Sequence, residues 1–181
     1  MGFLPGVGWI THFCILRQMR CLQEEIIMNS TALEQEKVTR EEMVHLLNED
    51  LAREYQAVIA YVVYSQVLKG AAYMKIAKEL EIHAGEELAH ALKISKQIDY
   101  FGGMPEVVPK EVQTSEDPKR MLQLDLENEK ETIRNYRQRI LQADAMGEFA
   151  LSEVLREIIV QEQEHLIDLA TALGIATPEV D

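Results

Sequence analysis

The feature that most restricts what this chain can fold into is a short acidic motif that occurs twice. Glu87-Leu-Ala-His90 and Glu162-Gln-Glu-His165 both read Glu-x-x-His. A further glutamate precedes each motif at the same interval, Glu54 before the first and Glu129 before the second. The sequence therefore predicts one helical hairpin that is present twice, with its halves related by a pseudo-twofold axis.

The hydrophobic pattern around the motifs is helical. Apolar residues recur every three or four positions between Val44 and Val62, and Thr39 with Glu42 has the spacing of a capping box. Similar patterns predict helices at about residues 40–69, from after Gly70 to about 101, at 119–144 and at 148–173. Because the sequence shows little alternation of period two, we predict an all-α fold, a four-helix bundle.

Residues 102–118 separate the second predicted helix from the third. They contain the pair Gly102-Gly103 and three of the five prolines, which stop a helix. A connection of this length can return along the bundle, so that the third helix runs parallel to the second. We predict an N-terminal segment over residues 1–38, the bundle over 39–174 and a short C-terminal tail over 175–181.

The repeated motif predicts a metal site. At a spacing of i, i+3, both side chains of a Glu-x-x-His motif point the same way and can bind one metal. Buried carboxylates repel one another unless cations neutralise them, and mixed oxygen and nitrogen ligands suit iron or manganese. We predict two iron ions per chain, with manganese as the alternative. The residues predicted to be both metal ligands and catalytic are Glu54, Glu87, His90, Glu129, Glu162 and His165.

Other polar side chains lie close to the motifs in the sequence. His83 precedes His90 by two helical turns and faces the same side, which favours a histidine at the edge of the core over a further ligand or a route for iron. Asp50 and Asp125, one turn from the predicted ligands, are candidates to accept the outer N–H of the ligating histidines. Glu86 is interpreted as a surface charge.

The net charge of -13 excludes functions that need a basic surface. Binding to nucleic acid or to an anionic membrane is not expected, whereas cations are natural partners. The two cysteines, Cys14 and Cys21, form neither a CxxC pair nor a disulfide framework.

The N-terminal apolar stretch, residues 2–16, is interrupted by Pro5 and three glycines. It predicts neither a membrane span nor a secretory signal, so we expect a cytoplasmic protein. A separate hypothesis is that translation begins at Met28, because residues 23–25 can be encoded by a purine-rich ribosome-binding sequence. Residues 1–27 would then not belong to the native protein; the alternative is an ordinary amphipathic N-terminal helix.

The motifs, with a tyrosine two helical turns after each of the two earlier glutamates (Tyr61 and Tyr136), resemble the bacterioferritin and ferritin-like di-iron family over roughly residues 40–173. The resemblance implies a ferritin-like four-helix bundle with a long crossover. It also implies that the two motif glutamates bridge two irons, that the two earlier glutamates are terminal ligands, and that each histidine completes one iron site. The two tyrosines would lie close by.

The chain also departs from its relatives at three points. Leu88 stands where bacterioferritins carry the methionine that binds haem, so haem is not expected. Thr132 stands where rubrerythrins carry an additional glutamate, and a rubrerythrin-like peroxidase is accordingly less favoured. The pattern predicts no fifth helix after Leu173, which leaves the assembly open from a dimer to a cage.

The resemblance implies a ferroxidase that oxidises Fe(II) with dioxygen or hydrogen peroxide and serves iron storage and detoxification in a homo-oligomer. The first alternative is a di-iron or di-manganese oxidoreductase, of peroxidase or catalase type, that stores nothing. The second is a helical interaction module in which the metal is purely structural.

Overall fold

Four long helices make up the computed structural model, which describes residues 38–181. They are α1 (Arg40–Val67), α2 (Met74–Tyr100), α3 (Pro118–Met146) and α4 (Phe149–Leu173), and a short 3-10 turn, Ala71–Tyr73, leads into α2. Residues 38–181 contain no strand, which confirms the predicted all-α class. Residues 1–37 of the predicted N-terminal segment, with the suggested start at Met28, lie outside the described residues.

The helix ends follow from local chemistry. Thr39 and Glu42 form the predicted capping box, in which each side chain accepts a hydrogen bond from the other residue's backbone N–H. Pro118 begins α3 instead of closing the crossover, because its fixed φ and missing N–H suit the first turn of a helix. Gly147 and Gly174 end α3 and α4 at φ 79° and 69°, a left-handed conformation that glycine adopts without strain.

The first two helices run antiparallel. Arg40, at the start of α1, donates a hydrogen bond to the carbonyl of Tyr100 at the end of α2. At the opposite end, Gln66 of α1 donates to Glu81 near the start of α2. The turn between the helices therefore brings α2 back along the full length of α1.

The crossover, residues 102–117, follows α1 from its start towards its end. The N–H of Glu106 donates to Asn48 Oδ1 at 2.7 Å, and further along Tyr64 donates to the carbonyl of Gln113. The chain therefore enters α3 beside the end of α1, and α3 runs antiparallel to α1. This path makes α3 parallel to α2, which confirms the predicted long crossover.

The apolar core consists of two clusters that lie towards opposite ends of the bundle. Large buried members of the first cluster are Tyr61, Leu80, Leu122, Ile133 and Leu169, and those of the second are Met43, Leu51, Ile94, Tyr136 and Leu155. Between the two clusters, α1 buries Glu54, α2 buries Glu87 and His90, and α4 buries Glu162 and His165. The bundle thus has an apolar half on each side of a polar layer.

Among the helices of residues 38–181, none combines the length and the apolar composition that a bilayer span requires.

A buried ion pair ties α1 to α3 one turn from that polar layer. Arg139 Nε lies 2.7 Å from Asp50 Oδ2, and Arg139 Nη2 lies 3.3 Å from Asp50 Oδ1, so the pairing is bidentate. Both side chains are almost fully buried. Burial raises the pKa of Asp50, and the guanidinium of Arg139 only partly offsets it.

We expect Arg139→Met to lower the free energy of unfolding by about 3 kcal/mol, because it leaves the Asp50 carboxyl buried without its partner. Arg120→Met is the matched control on α3: it removes an exposed ion pair with Glu127 and should cost less than about 1 kcal/mol. Urea unfolding of both variants measures the difference. Equal losses in the two variants would contradict a structural role for the buried pair.

Candidate metal centre

The structure brings the six predicted site residues together in the polar layer between the two apolar clusters. Each helix supplies at least one of them: Glu54 comes from α1, Glu87 and His90 from α2, Glu129 from α3, and Glu162 and His165 from α4. None of the six is more than 3% exposed. Such burial is rare for glutamate unless it is paired, which sets these carboxylates apart from those on the helix surfaces.

Glu87 and Glu162 lie between the two histidines. The Nδ1 atom of His90 is 3.1 Å from one oxygen of Glu87 and 3.1 Å from one oxygen of Glu162. The Nδ1 atom of His165 is 2.9 Å from the other oxygen of Glu87 and 3.5 Å from the other oxygen of Glu162. Each of these two carboxylates therefore faces both halves of the site, as a bridging ligand must.

Glu54 and Glu129 each belong to one half only. Glu54 lies 3.5 Å from Nδ1 of His90, and Glu129 lies 4.0 Å from Nδ1 of His165. The result is two sets of four donors that share the two central glutamates. Within each set, one donor atom from every residue lies within 4.8 Å of the others; the sets are Glu54, Glu87, His90 and Glu162, and Glu87, Glu129, Glu162 and His165.

The two buried tyrosines connect the halves reciprocally. Tyr61 of α1 donates a hydrogen bond to Glu129 of α3, and Tyr136 of α3 donates one to Glu54 of α1. Each hydroxyl thereby holds the carboxylate that belongs to the other half of the repeat. The expectation that the tyrosines lie close to the site agrees with these contacts.

The outer nitrogens of the histidines have partners that the sequence reasoning assigned wrongly. His90 Nε2 donates to Gln161 Oε1 at 2.9 Å, and His165 Nε2 donates to Glu86 Oε2 at 3.0 Å. Gln161 also donates to Glu86 at 3.1 Å, so the two side chains form one hydrogen-bonded bridge behind the histidines. The interpretation of Glu86 as a surface charge was therefore wrong, because its carboxylate turns inward to the imidazole of His165.

The suggestion that Asp50 and Asp125 accept these N–H groups was also wrong. The carboxylate of Asp50 forms its ion pair with Arg139. One oxygen of the buried Asp125 has no hydrogen-bond partner among residues 38–181. A signal for the actual partners was present in the sequence. Glu86 and Gln161 occupy equivalent positions of the two halves, as the ligands do, and each directly precedes the glutamate of its motif.

His83 lies directly against the site. It is 2% exposed, and its ring centroid is 4.1 Å from that of His165. Burial, together with the nearby His165, lowers the pKa of His83 to about 4, which keeps its imidazole neutral. The prediction of a histidine at the edge of the core understated this contact.

Burial, and after it the crowding of carboxylates, sets the electrostatics of the centre. Burial raises the pKa of Glu54 well above its ordinary value, and the charges of Glu87 and Glu162 raise it further. The pKa of Glu129 is raised for the same reasons. Burial also opposes ionisation of Glu87, but the imidazoles of His165 and His90 outweigh it and lower the pKa of Glu87.

The same carboxylates hold protons on the two histidines. Burial disfavours the charged imidazolium, but the contacts of His165 with Glu162 and Glu87 outweigh it and raise the pKa of His165 to about 12. The pKa of His90 is raised in the same way by Glu162, Glu54 and Glu87. Without cations, the centre is therefore neutralised by protons.

The unpaired donor atoms fit a pair of divalent cations. Among the described residues, eight buried side-chain atoms have no hydrogen-bond partner, and six of them belong to the two four-donor sets: Glu54 Oε2, Glu87 Oε1, Glu129 Oε2, both carboxylate oxygens of Glu162, and His165 Nδ1. The other two, His83 Nδ1 and Asp125 Oδ2, lie beside the centre. Unpaired buried oxygens are costly, and cations would satisfy these and replace the protons at once.

Comparison with known proteins agrees with this geometry. The family model described as ferritin-like domain matches residues 44–176. The chain is 25% identical to the bacterioferritin of Brucella melitensis biotype 1 over 134 residues, which are 74% of this chain and 83% of the relative.

Two solved structures are similar in fold and in sequence. One is a ferritin-like di-iron-carboxylate protein from Bacillus anthracis str. Ames, with 32% identity and a TM-score of 0.71 over 74% of this chain and 96% of the other. The second is a dodecameric thioferritin, the bacterioferritin-related protein of Bacteroides fragilis. It has 25% identity and a TM-score of 0.70 over 81% of this chain and 93% of the other.

The raised pKa values give the metal-free protein a defined pH dependence. In the folded chain, the pKa values of four side chains are raised: Glu54, Glu129, His90 and His165. These side chains therefore keep protons at pH values at which the unfolded chain has already released them. His83, whose pKa is lowered to about 4, contributes in the opposite direction, but only below about pH 6.5. We therefore expect the free energy of unfolding to fall as pH rises from about 6.5 to about 8, by about 1.4 kcal/mol per pH unit for each such proton.

Calorimetric melting of the metal-free protein across this pH range measures the effect. Glu54→Gln combined with Glu129→Gln, which removes two of the titrating carboxyls, should show a shallower slope. A melting temperature that rises with pH in the metal-free wild type would contradict the assignment of the protons to this centre.

Proposed function

We propose, since this chain belongs to the ferritin-like domain family, that it binds two iron ions between its four helices and oxidises Fe(II) with dioxygen or hydrogen peroxide. The observation that carries the proposal is the pair of four-donor sets that share Glu87 and Glu162. A single metal would leave one histidine and one glutamate of the layer unused. Two metals use all six residues.

The type of donor supports iron as the metal. Four carboxylates and two imidazoles form a mainly hard donor set that suits iron or manganese better than soft metals. Residues 38–181 contain no cysteine that could add a soft ligand. We therefore propose iron, with manganese as the alternative that the same donors would accept.

The residues of the centre are arranged to accommodate a change in the charge of metal ions that bind between them. When bound, two Fe(II) ions supply two electrons, which together with two protons reduce dioxygen to hydrogen peroxide. Glu87 and Glu162 present one oxygen to each half of the centre and can shift as the positive charge increases. Tyr61 and Tyr136 hold the two terminal carboxylates in place while this happens.

The hydrogen-bonded bridge behind the histidines fixes their orientation. With Nε2 donating outward to Gln161 or Glu86, each imidazole presents the lone pair of Nδ1 to the centre once its proton is displaced. Displacement of protons by cations makes binding stronger at higher pH. The bridge thus selects the tautomer that can bind metal.

Haem is not part of the proposal. Leu88 is an exposed side chain on α2 and offers no ligand atom to a haem iron. Its exposure does support self-association. Large apolar side chains on the outer surfaces of α1 and α2, among them Val62, Leu88 and Leu92, are more than half exposed. Because burial of such side chains between subunits is favourable, we propose a homo-oligomer whose shell would store the oxidised iron.

We expect anaerobic addition of Fe(II) to the metal-free protein, followed by oxygen, to give rapid oxidation that saturates near two irons per chain. Glu87→Ala should slow it roughly 100-fold, because removal of a bridging carboxylate weakens both metal positions. Stopped-flow absorbance of ferric iron in the near ultraviolet measures the rate. Glu81→Ala, which removes an exposed carboxylate from the same helix, should react like wild type.

Continued uptake far beyond two irons per chain would support storage, whereas uptake that stops at two would favour an oxidoreductase that stores nothing. Metal removal that changes the melting temperature in a protein with no oxidation activity would favour a structural role. Equal rates in Glu87→Ala and wild type would overturn the proposed function.

A further inference from the structure

A third group of metal-type donors lies between α2 and α4, outside the two four-donor sets. It consists of Glu79, His83 and Asp168, and one donor atom from each lies within 4.8 Å of the others. His83 Nε2 is 3.4 Å from Asp168 Oδ2. One imidazole with two carboxylates provides the same donor types that the central positions use.

The group is open to solvent on one side and buried on the other. Glu79 and Asp168 line a surface cavity of about 340 Å³, and the side chain of Asp168 is 43% exposed. His83, in contrast, is 2% exposed, and its Nδ1 atom has no hydrogen-bond partner among residues 38–181. The nitrogen that faces Asp168 is Nε2, so the buried imidazole presents one nitrogen to the accessible carboxylates while the other has no partner. This arrangement suits a cation that is taken from solvent.

The group also connects inward to the central layer. His83, Glu86 and His165 form a further set of donors within 4.8 Å of one another. Glu86 accepts a hydrogen bond from His165, which is itself one of the six central residues. The outer set shares His83 with this intermediate set, and the intermediate set shares His165 with the central set. The three sets therefore form a continuous series from the cavity to the centre.

The other half of the repeat lacks such a group. Val154 and Ile158 occupy the positions equivalent to Glu79 and His83, and Lys93 occupies the position equivalent to Asp168. Two apolar residues and a cation cannot hold a metal. The donors near His165 are therefore specific to one half of the molecule and are not a by-product of the duplication.

We propose that Glu79, His83 and Asp168 form a separate divalent-cation site that receives the ion from solvent and passes it, by way of Glu86, to the His165 side of the centre. Cation binding at this site does not depend on the proposed function. The delivery role of the site does rest on the proposed function, because it requires the two-metal centre. Because ions would arrive from one side, the metal position next to His165 and Glu129 should be occupied before the position next to His90 and Glu54.

Anaerobic equilibrium dialysis with Co(II) tests the site, because Co(II) can be counted without iron oxidation. Wild type should bind three ions per chain, and Glu79→Gln combined with Asp168→Asn should bind two. Both substituted side chains are partly exposed, so the variant should fold, which circular dichroism checks. The matched control, Glu153→Gln with Asp99→Asn, removes the same charges from exposed positions on the same two helices and should bind three.

Stopped-flow mixing with Co(II) tests delivery. The Glu79 and Asp168 variant should load the centre about tenfold more slowly than wild type, because it lacks the charges that concentrate cations at the cavity. A variant that binds as many ions as wild type would overturn the site. One that loses an ion but loads the centre at the wild-type rate would overturn the delivery role.

A second variant separates this proposal from the proposed function. Glu87→Ala combined with Glu162→Ala should lose the two central ions and keep the one at Glu79, His83 and Asp168. A different outcome is that the double alanine variant loses only one of the three ions and the Glu79 and Asp168 variant also loses one. That result would support the outer site and contradict the two-metal centre. If the double alanine variant binds no ion at all, the outer site is not independent and the proposal is wrong.

Discussion

The burial of four carboxylates in one layer is the constraint on which the rest of this structure depends. Four glutamates that are almost fully buried occupy the middle of the bundle, where ionised carboxylates would repel one another strongly. Among the described side chains of the layer, the two histidines can carry positive charge that offsets the carboxylates. The raised pKa values of Glu54, Glu129 and His165 mean that protons neutralise the layer when no cation is bound. A layer that must be neutralised by exchangeable positive charge is suited to bind cations. The apolar clusters on either side supply the folding energy that allows the bundle to tolerate it.

The duplicated hairpin makes this layer almost symmetric, and the departures from symmetry have separate consequences. Asp50 is paired with Arg139, whereas the residue in the equivalent position near Asp125 is Tyr64. Burial, followed by the charge of Asp125, raises the pKa of Tyr64 to about 12. Behind the histidines, His165 meets a carboxylate and His90 meets an amide oxygen. The two four-donor sets therefore contain the same residue types in different surroundings.

Much of the fold and all six central residues could be predicted from the sequence, because both are encoded by periodicity. The helices follow from apolar spacing, and the site follows from a repeat whose members must share one helix face. The wrong assignments concerned contacts between helices. Whether Glu86 turns outward or towards His165 depends on the packing of α2 against α4, and no spacing along a single helix contains that information. The pairing of Asp50 with Arg139 was missed for the same reason.

The most direct test is crystallographic location of the metals. Crystals of the wild-type protein loaded anaerobically with Fe(II) would be measured on both sides of the iron absorption edge. We expect two anomalous peaks about 3.5–4 Å apart. Both should lie between Glu87 and Glu162, one towards His90 and Glu54 and the other towards His165 and Glu129. A single peak in this layer, or none while iron binds elsewhere on the chain, would contradict a two-metal centre.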